Sequence, residues 1–106
     1  GFVPGYRMQG TYEWLAGRPR KAEKCWQKSL AVAEELGAGY QEALTRLEIG
    51  RRLGDRAELE RAEALFGEMG AALDLAEARR LLGRESEPSP GDEGGTRPPA
   101  ETRVAG

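Results

Sequence analysis

The chain has 106 residues, enough for one small domain and too few for two. Its 16 basic residues stand against 18 acidic ones, of which Arg84 to Gly106 holds three and five, so the first 83 residues balance 13 against 13 and offer no basic surface for nucleic acid or an anionic membrane. A single cysteine, Cys25, and no histidine exclude an internal disulfide framework and a zinc site built from Cys and His.

Up to about Gly83 the sequence is dominated by Ala, Leu, Glu and Arg, with Val, Ile and Thr scarce, which predicts an all-α fold. The first helix is expected from Tyr6 to Ala16, where Met8, Tyr12 and Leu15 follow helical spacing. Pro19 then suits the first turn of a second helix, because its missing N–H is not needed there. That helix carries the clearest stripe. Ala22, Cys25, Trp26, Ser29, Leu30, Ala33 and Leu36 recur at intervals of three and four, with Lys21, Lys24, Lys28 and Glu35 on the other side. Gly37 is placed to end it in the left-handed conformation. Within the stripe, Cys25 reads as a structural thiol.

A third helix is expected from about Tyr40 to Leu53, with Tyr40, Ala43, Leu44 and Leu47 inward and the pairs Glu42–Arg46 and Glu48–Arg52 outside. Each such pair contributes about 0.2 to 0.5 kcal/mol. Asp55, three residues before Glu58, resembles an N-cap, so a fourth helix starts there and runs to Met69 with Leu59, Ala62, Leu65, Phe66 and Met69 on its apolar face. A last helix, about Leu73 to Leu82, places Leu75, Ala78 and Leu82 on one side before Gly83 closes it. From Glu85 to Gly106 the residues are Pro, Gly, Ser, Thr and Glu with almost no apolar content, and a disordered tail is expected because so little surface is available to offset the ordering entropy. The expected organisation is a helical domain over residues 1–84 and a tail over 85–106.

Laid against itself at an offset of 33 residues, the chain repeats an apolar-Gly-Arg triplet: Ala16-Gly17-Arg18, Ile49-Gly50-Arg51 and Leu82-Gly83-Arg84. Glu35-Leu36-Gly37-Ala38 falls over Glu68-Met69-Gly70-Ala71, and Gly10, Ala43 and Ala76 form a column of small residues. Recurrence at this period signals stacked supersecondary units, none able to bury its apolar face alone. In this register the Ala62-x-x-x-Phe66 step lies seven residues late relative to Ala22-x-x-x-Trp26, which predicts a shortened or displaced second helix in the second unit.

Tyr6-x-x-Gln9-Gly10 followed by Ala22-x-x-x-Trp26 resembles the tetratricopeptide repeat family, whose unit is a pair of antiparallel helices with a small residue in the first and an Ala-x-x-x-aromatic step in the second. The match covers about Pro4 to Gly83. Glu13 stands where the family prefers an aromatic residue, and Glu34 where it prefers Pro. The segment Leu65 to Ala71, before an Ala- and Arg-rich helix, is also similar to degenerate repeats at the ends of large bacterial ATPases, nucleotide cyclases and transcription regulators.

The resemblance implies a solenoid of about five helices whose concave groove is lined by the first helix of each unit. The groove columns are then Arg7, Tyr40 and Leu73, followed by Thr11, Leu44 and Glu77, and Trp14 is a further aromatic candidate. Trp26 and Phe66 lie within apolar stripes and belong to the core. Mixed columns of this kind suit a protein or peptide partner with both apolar and charged groups.

No catalytic, cofactor-binding or metal-binding residue is assigned. The sequence has no Gly-rich phosphate loop ending in Gly-Lys-Ser/Thr, no His base, and no base near Ser29 or Cys25 in the local pattern. Arg51, Arg52 and Arg56 are the best candidates for a nucleic-acid stripe, and Glu48 and Glu58 dilute them. No apolar run approaches the roughly 20 residues that span a bilayer and no leader pattern opens the chain, so a cytoplasmic location is expected. The first residue is Gly rather than Met, which suggests a processed product or a fragment. The expected function is a non-catalytic scaffold for a peptide or partner helix; the alternative is an end-cap whose partner is the upstream repeats of a longer regulatory chain.

Overall fold

A computed structural model of the chain describes residues Gly5 to Arg84. They form α1 (Tyr6–Leu15), α2 (Pro19–Leu36), α3 (Gly39–Leu53), α4 (Arg56–Met69) and α5 (Ala72–Leu81), and no strand occurs among the described residues. The all-α expectation holds. The expected tail lies outside the described residues. Each helix packs on the next in the chain, and α1 also touches α3.

Backbone punctuation sets the helix ends. Pro19 opens α2 at its first position, and Gly37 closes it with φ 63°, a left-handed conformation that costs glycine least. There Ala38 N donates to Ala33 O at 2.8 Å and Gly37 N to Glu34 O at 3.2 Å, which satisfies two carbonyls left open by the last turn. Gly70 ends α4 in the same way, with Ala71 N on Phe66 O. At the start of α4, Asp55 Oδ1 accepts from Glu58 N at 3.3 Å, the cap expected from the sequence.

The helices α1, α3 and α5 begin at Tyr6, Gly39 and Ala72, each 33 residues after the last, but the turns between paired helices do not keep that spacing. α3 has 15 residues against 10 in α1, and α4 has 14 against 18 in α2. About one turn has moved from the second helix to the first. This corrects the reading of Gly50 as the equivalent of Gly17. Gly17 has φ 83° just beyond α1, whereas Gly50 lies inside α3 and Gly54 takes the left-handed position with φ 67°. The late Ala62-x-x-x-Phe66 step has the same origin.

Two small cores result. One joins Ala22, Trp26 and Leu30 of α2 to Ile49 of α3, with Trp14 packed at its edge. The other joins Ala43 and Leu47 of α3 to Leu59, Ala62 and Phe66 of α4 and to Ala78 and Leu82 near the end of α5. α3 belongs to both. Its Thr45 is fully buried and still satisfied, because the hydroxyl lies 2.9 Å from Gln41 O and 2.7 Å from Ser29 Oγ across the α2–α3 contact.

The apolar residues of α1 turn away from these cores. Met8, Tyr12 and Leu15 are 54%, 63% and 69% exposed. The covered side carries Gly10, which is buried, together with Arg7, Thr11 and Trp14. The physical reason is the indole of Trp26, which lies so close to Gly10 that no other residue type of α1 leaves room for it. Leu36 and Met69 of the expected stripes, and Tyr40, are likewise exposed.

Candidate partner-binding surface

Three side-chain bonds join α1, α3 and α5, which are not consecutive in the chain. Thr11 Oγ1 donates to Glu48 Oε2 at 2.5 Å, Tyr40 OH donates to Asp74 Oδ2 at 2.7 Å, and Arg51 Nη1 donates to Glu77 Oε2 at 3.1 Å. Each bond crosses from one of these helices to the next. They tie α1 to α3 and α3 to α5, the helices that carry the residues expected to line the groove.

The charges on this surface are largely matched. Glu48 also accepts from Arg52 Nε at 2.8 Å and faces Arg51 Nε at 3.4 Å. Burial acts to raise the Glu48 carboxyl, but the hydrogen bonds from Thr11 and Arg52 and the charges of Arg52 and Arg51 outweigh it and hold the group below the usual glutamate range. The Tyr40 phenol is pushed above its ordinary value, first by the hydrogen bond to Asp74, then by desolvation and the carboxylate charge, while Arg7 pulls it the other way. Glu77 is held below the usual range by its hydrogen bond from Arg80, against a smaller opposing effect of desolvation.

On the far side of α3, Arg46 ties three helices together. Its Nε donates to Glu42 at 2.9 Å, its Nη1 to Glu58 of α4 at 2.8 Å, and Glu34 of α2 lies 3.8 Å from Nη2. The desolvated guanidinium would lose basicity on burial alone, but the hydrogen bonds to Glu58 and Glu42 more than offset this and raise its pKa.

The seven expected site residues divide into three pairs and one single residue. Arg7 and Tyr40 come together: the Arg7 charge acts on the Tyr40 phenol, and Asp74 completes the cluster. The backbone carbonyl of Arg7 accepts from Trp26 Nε1 at 3.2 Å, and its buried Nε has no hydrogen-bond partner among the described residues. Thr11 and Glu77 serve the cross-helix bonds just given. Trp14 and Leu44 lean into the cores, Trp14 with its ring 6.0 Å from that of Trp26, and Leu44 against the second core. Leu73 is 88% exposed.

Sequence reasoning missed Glu48, Asp74 and Arg51 as parts of this surface. The sequence offered one usable signal, the donors Thr11 on α1 and Tyr40 on α3 matched by the acceptors Glu48 on α3 and Asp74 on α5. An open apolar dent of ≈ 190 Å³ between the start of α1, the end of α2 and the start of α3 is lined by Gly5, Tyr6, Ser29, Val32, Ala33, Leu36, Ala38 and Gln41, and contains none of the seven. Among the described residues no group of three or more His, Cys, Asp or Glu is placed to hold a metal ion, and no helix is long and apolar enough to cross a membrane. Comparison with protein-family models, with curated proteins and with solved structures gave no match.

Proposed function

We propose that the chain is a non-catalytic interaction scaffold of tetratricopeptide-like helix pairs, which receives an extended peptide or a partner helix across α1, α3 and α5. The supporting observation is the set of bonds Thr11–Glu48, Tyr40–Asp74 and Arg51–Glu77, which holds three non-consecutive helices in one surface before any partner arrives. A surface already ordered loses less entropy on binding than one that must assemble. Tyr40, 44% exposed beside Arg7 and Asp74, supplies the apolar anchor with charges of both signs next to it.

The test is selection of linear peptides from a display library on the full chain, followed by titration of the enriched peptides against Tyr40→Ala and Arg7→Glu. The reading expects peptides whose binding is weakened at least about tenfold, or about 1.4 kcal/mol, by either change. Failure to enrich any peptide, or binding to either variant as tight as to the wild type, sinks it.

A further inference from the structure

Charge balances over the described helices as a whole but not along them. From Arg46 to Arg84 every arginine has a carboxylate partner, on its own helix or on a neighbour. On α2, Arg20, Lys21, Lys24 and Lys28 form no ion pair with any described residue, and all four are exposed. Arg20, Lys24 and Lys28 stand at steps of four, and Lys21 three before Lys24, so the four share the side of α2 opposite the buried Ala22, Trp26 and Leu30. Lys28 also lies over the Tyr6 ring, 5.6 Å from its centroid. Of the acids on the helix, Glu34 faces Arg46 at 3.8 Å, and Glu23 and Glu35 are too few to neutralise four cations.

Residue type separates the two regions as well. The lysines of the chain are Lys21, Lys24 and Lys28, so the bonds between α3, α4 and α5 are made by arginine. An arginine fork suits a carboxylate held at a fixed angle, whereas a lysine ammonium is a hydrated point charge on a flexible stem and tolerates partners that shift and exchange. The anionic counterpart is in the same chain. Residues 85–93 contain Glu85, Glu87, Asp92 and Glu93 and no base. Arg84, after which that segment begins, pairs with Glu60 and Glu63 of α4, and Arg46 bridges Glu58 of α4 to Glu34 of α2. From Glu34 back to Lys24 is about 15 Å of helix, and the segment, at about 3.3 Å per extended residue, covers about 30 Å.

We propose that the outer face of α2 is a docking site for the chain's own acidic segment 85–93, whose carboxylates meet Arg20, Lys21, Lys24 and Lys28. Tethering supplies what exposed ion pairs lack singly. A segment attached at Arg84 meets the face at an effective concentration on the order of millimolar, so several weak and exchanging contacts together hold it near α2. The chain's own segment is favoured over an outside polyanion because charge and tether act together on it. Docked, it shields the cations from outside polyanions, and salt releases it. This proposal does not depend on peptide binding across α1, α3 and α5.

The experiment places a nitroxide at Ser89→Cys of the full chain, with Cys25→Ala removing the native thiol, and reads relaxation broadening of the assigned amides by NMR. At about 10 mM salt, where charges act over about 30 Å, the amides of residues 20–28 are expected to lose the most intensity. At about 1 M salt, where the range is about 3 Å, they should recover it. The same recovery is expected when Glu85→Gln, Glu87→Gln, Asp92→Asn and Glu93→Gln are combined, a set that changes no residue of the five helices. It is also expected for Lys21→Gln, Lys24→Gln and Lys28→Gln together. Broadening strongest on α4 and α5, beside the point of attachment, or a loss that survives both sets, overturns the proposal. So does equal broadening between spin-labelled and isotope-enriched copies in a mixture, which makes a second copy the occupant. A short oligothymidylate that moves the α2 amides while the segment leaves them unbroadened overturns it in favour of nucleic acid.

Discussion

Gly10 lies directly beneath the indole of Trp26, and a Cβ at position 10 would overlap ring atoms Cδ1 and Nε1. Alanine is the better helix former by about 1 kcal/mol, but over-packing a buried contact costs about 1 to 3 kcal/mol. Gly10→Ala is therefore expected to lose stability despite the gain in propensity, as read from urea unfolding followed by circular dichroism. A more stable Gly10→Ala would mean that the ring is not seated on α1.

The Arg46 network and the exposed Arg61–Glu58 pair should separate clearly. Arg46→Met removes hydrogen bonds to Glu42 and Glu58 from a side chain only 14% exposed and is expected to cost about 2 kcal/mol. Arg61, 3.5 Å from Glu58 and largely in solvent, should cost no more than about 0.5 kcal/mol on change to Ala. Equal losses in chemical unfolding would show that Arg46 does not tie α2, α3 and α4 together.

Glu48 gives the fold a dependence on acid. Its folded-state pKa lies below the unfolded value of about 4.3, so its contribution is fully present above that pH and is lost as the pH falls through the lower folded-state value. Thr11→Val removes the hydrogen bond that does most to hold the group down. In that variant the Glu48 carboxyl should titrate at a higher pH by NMR, and thermal stability should begin to fall earlier on acidification.

Tyr40 responds at the other end of the scale. Its folded-state pKa is raised, so its contribution is present below the ordinary phenol value of about 10 and is lost as the pH rises through the higher folded-state value. Asp74→Asn should lower the Tyr40 midpoint, and Arg7→Gln should raise it, in titrations of tyrosinate absorption assigned with Tyr40→Phe. Movement of both variants in the same direction would contradict the cluster of Arg7, Tyr40 and Asp74.

The helix boundaries were legible within a residue or so because Pro19, Gly37 and Asp55 act through local backbone chemistry that sequence position alone specifies. The buried side of α1 was not. Gly10 carries no hydrophobic signal, and Met8, Tyr12 and Leu15 imitate a core stripe, so the face was decided by the shape of Trp26 on another helix. Gly50 misled for a related reason. The same triplet that ends α1 was carried one turn inside the longer α3, where packing against Leu59 needs a residue without a side chain. The columns align Arg7 with Tyr40, whereas Thr11–Glu48 and Tyr40–Asp74 depend on how neighbouring helices are offset along their axes, which no local pattern records.

The division into two cores also sorts the chromophores. Trp14 and Trp26 both belong to the α1–α2 side, while Phe66 and Tyr40 sit together in the α3–α4 side with ring centroids 6.1 Å apart. Indole emission thus reports on one of the two cores, whereas the far-ultraviolet signal averages over all five helices of the described residues. Any lag between the two on warming is a direct measure of how far α3 transmits order from one half to the other.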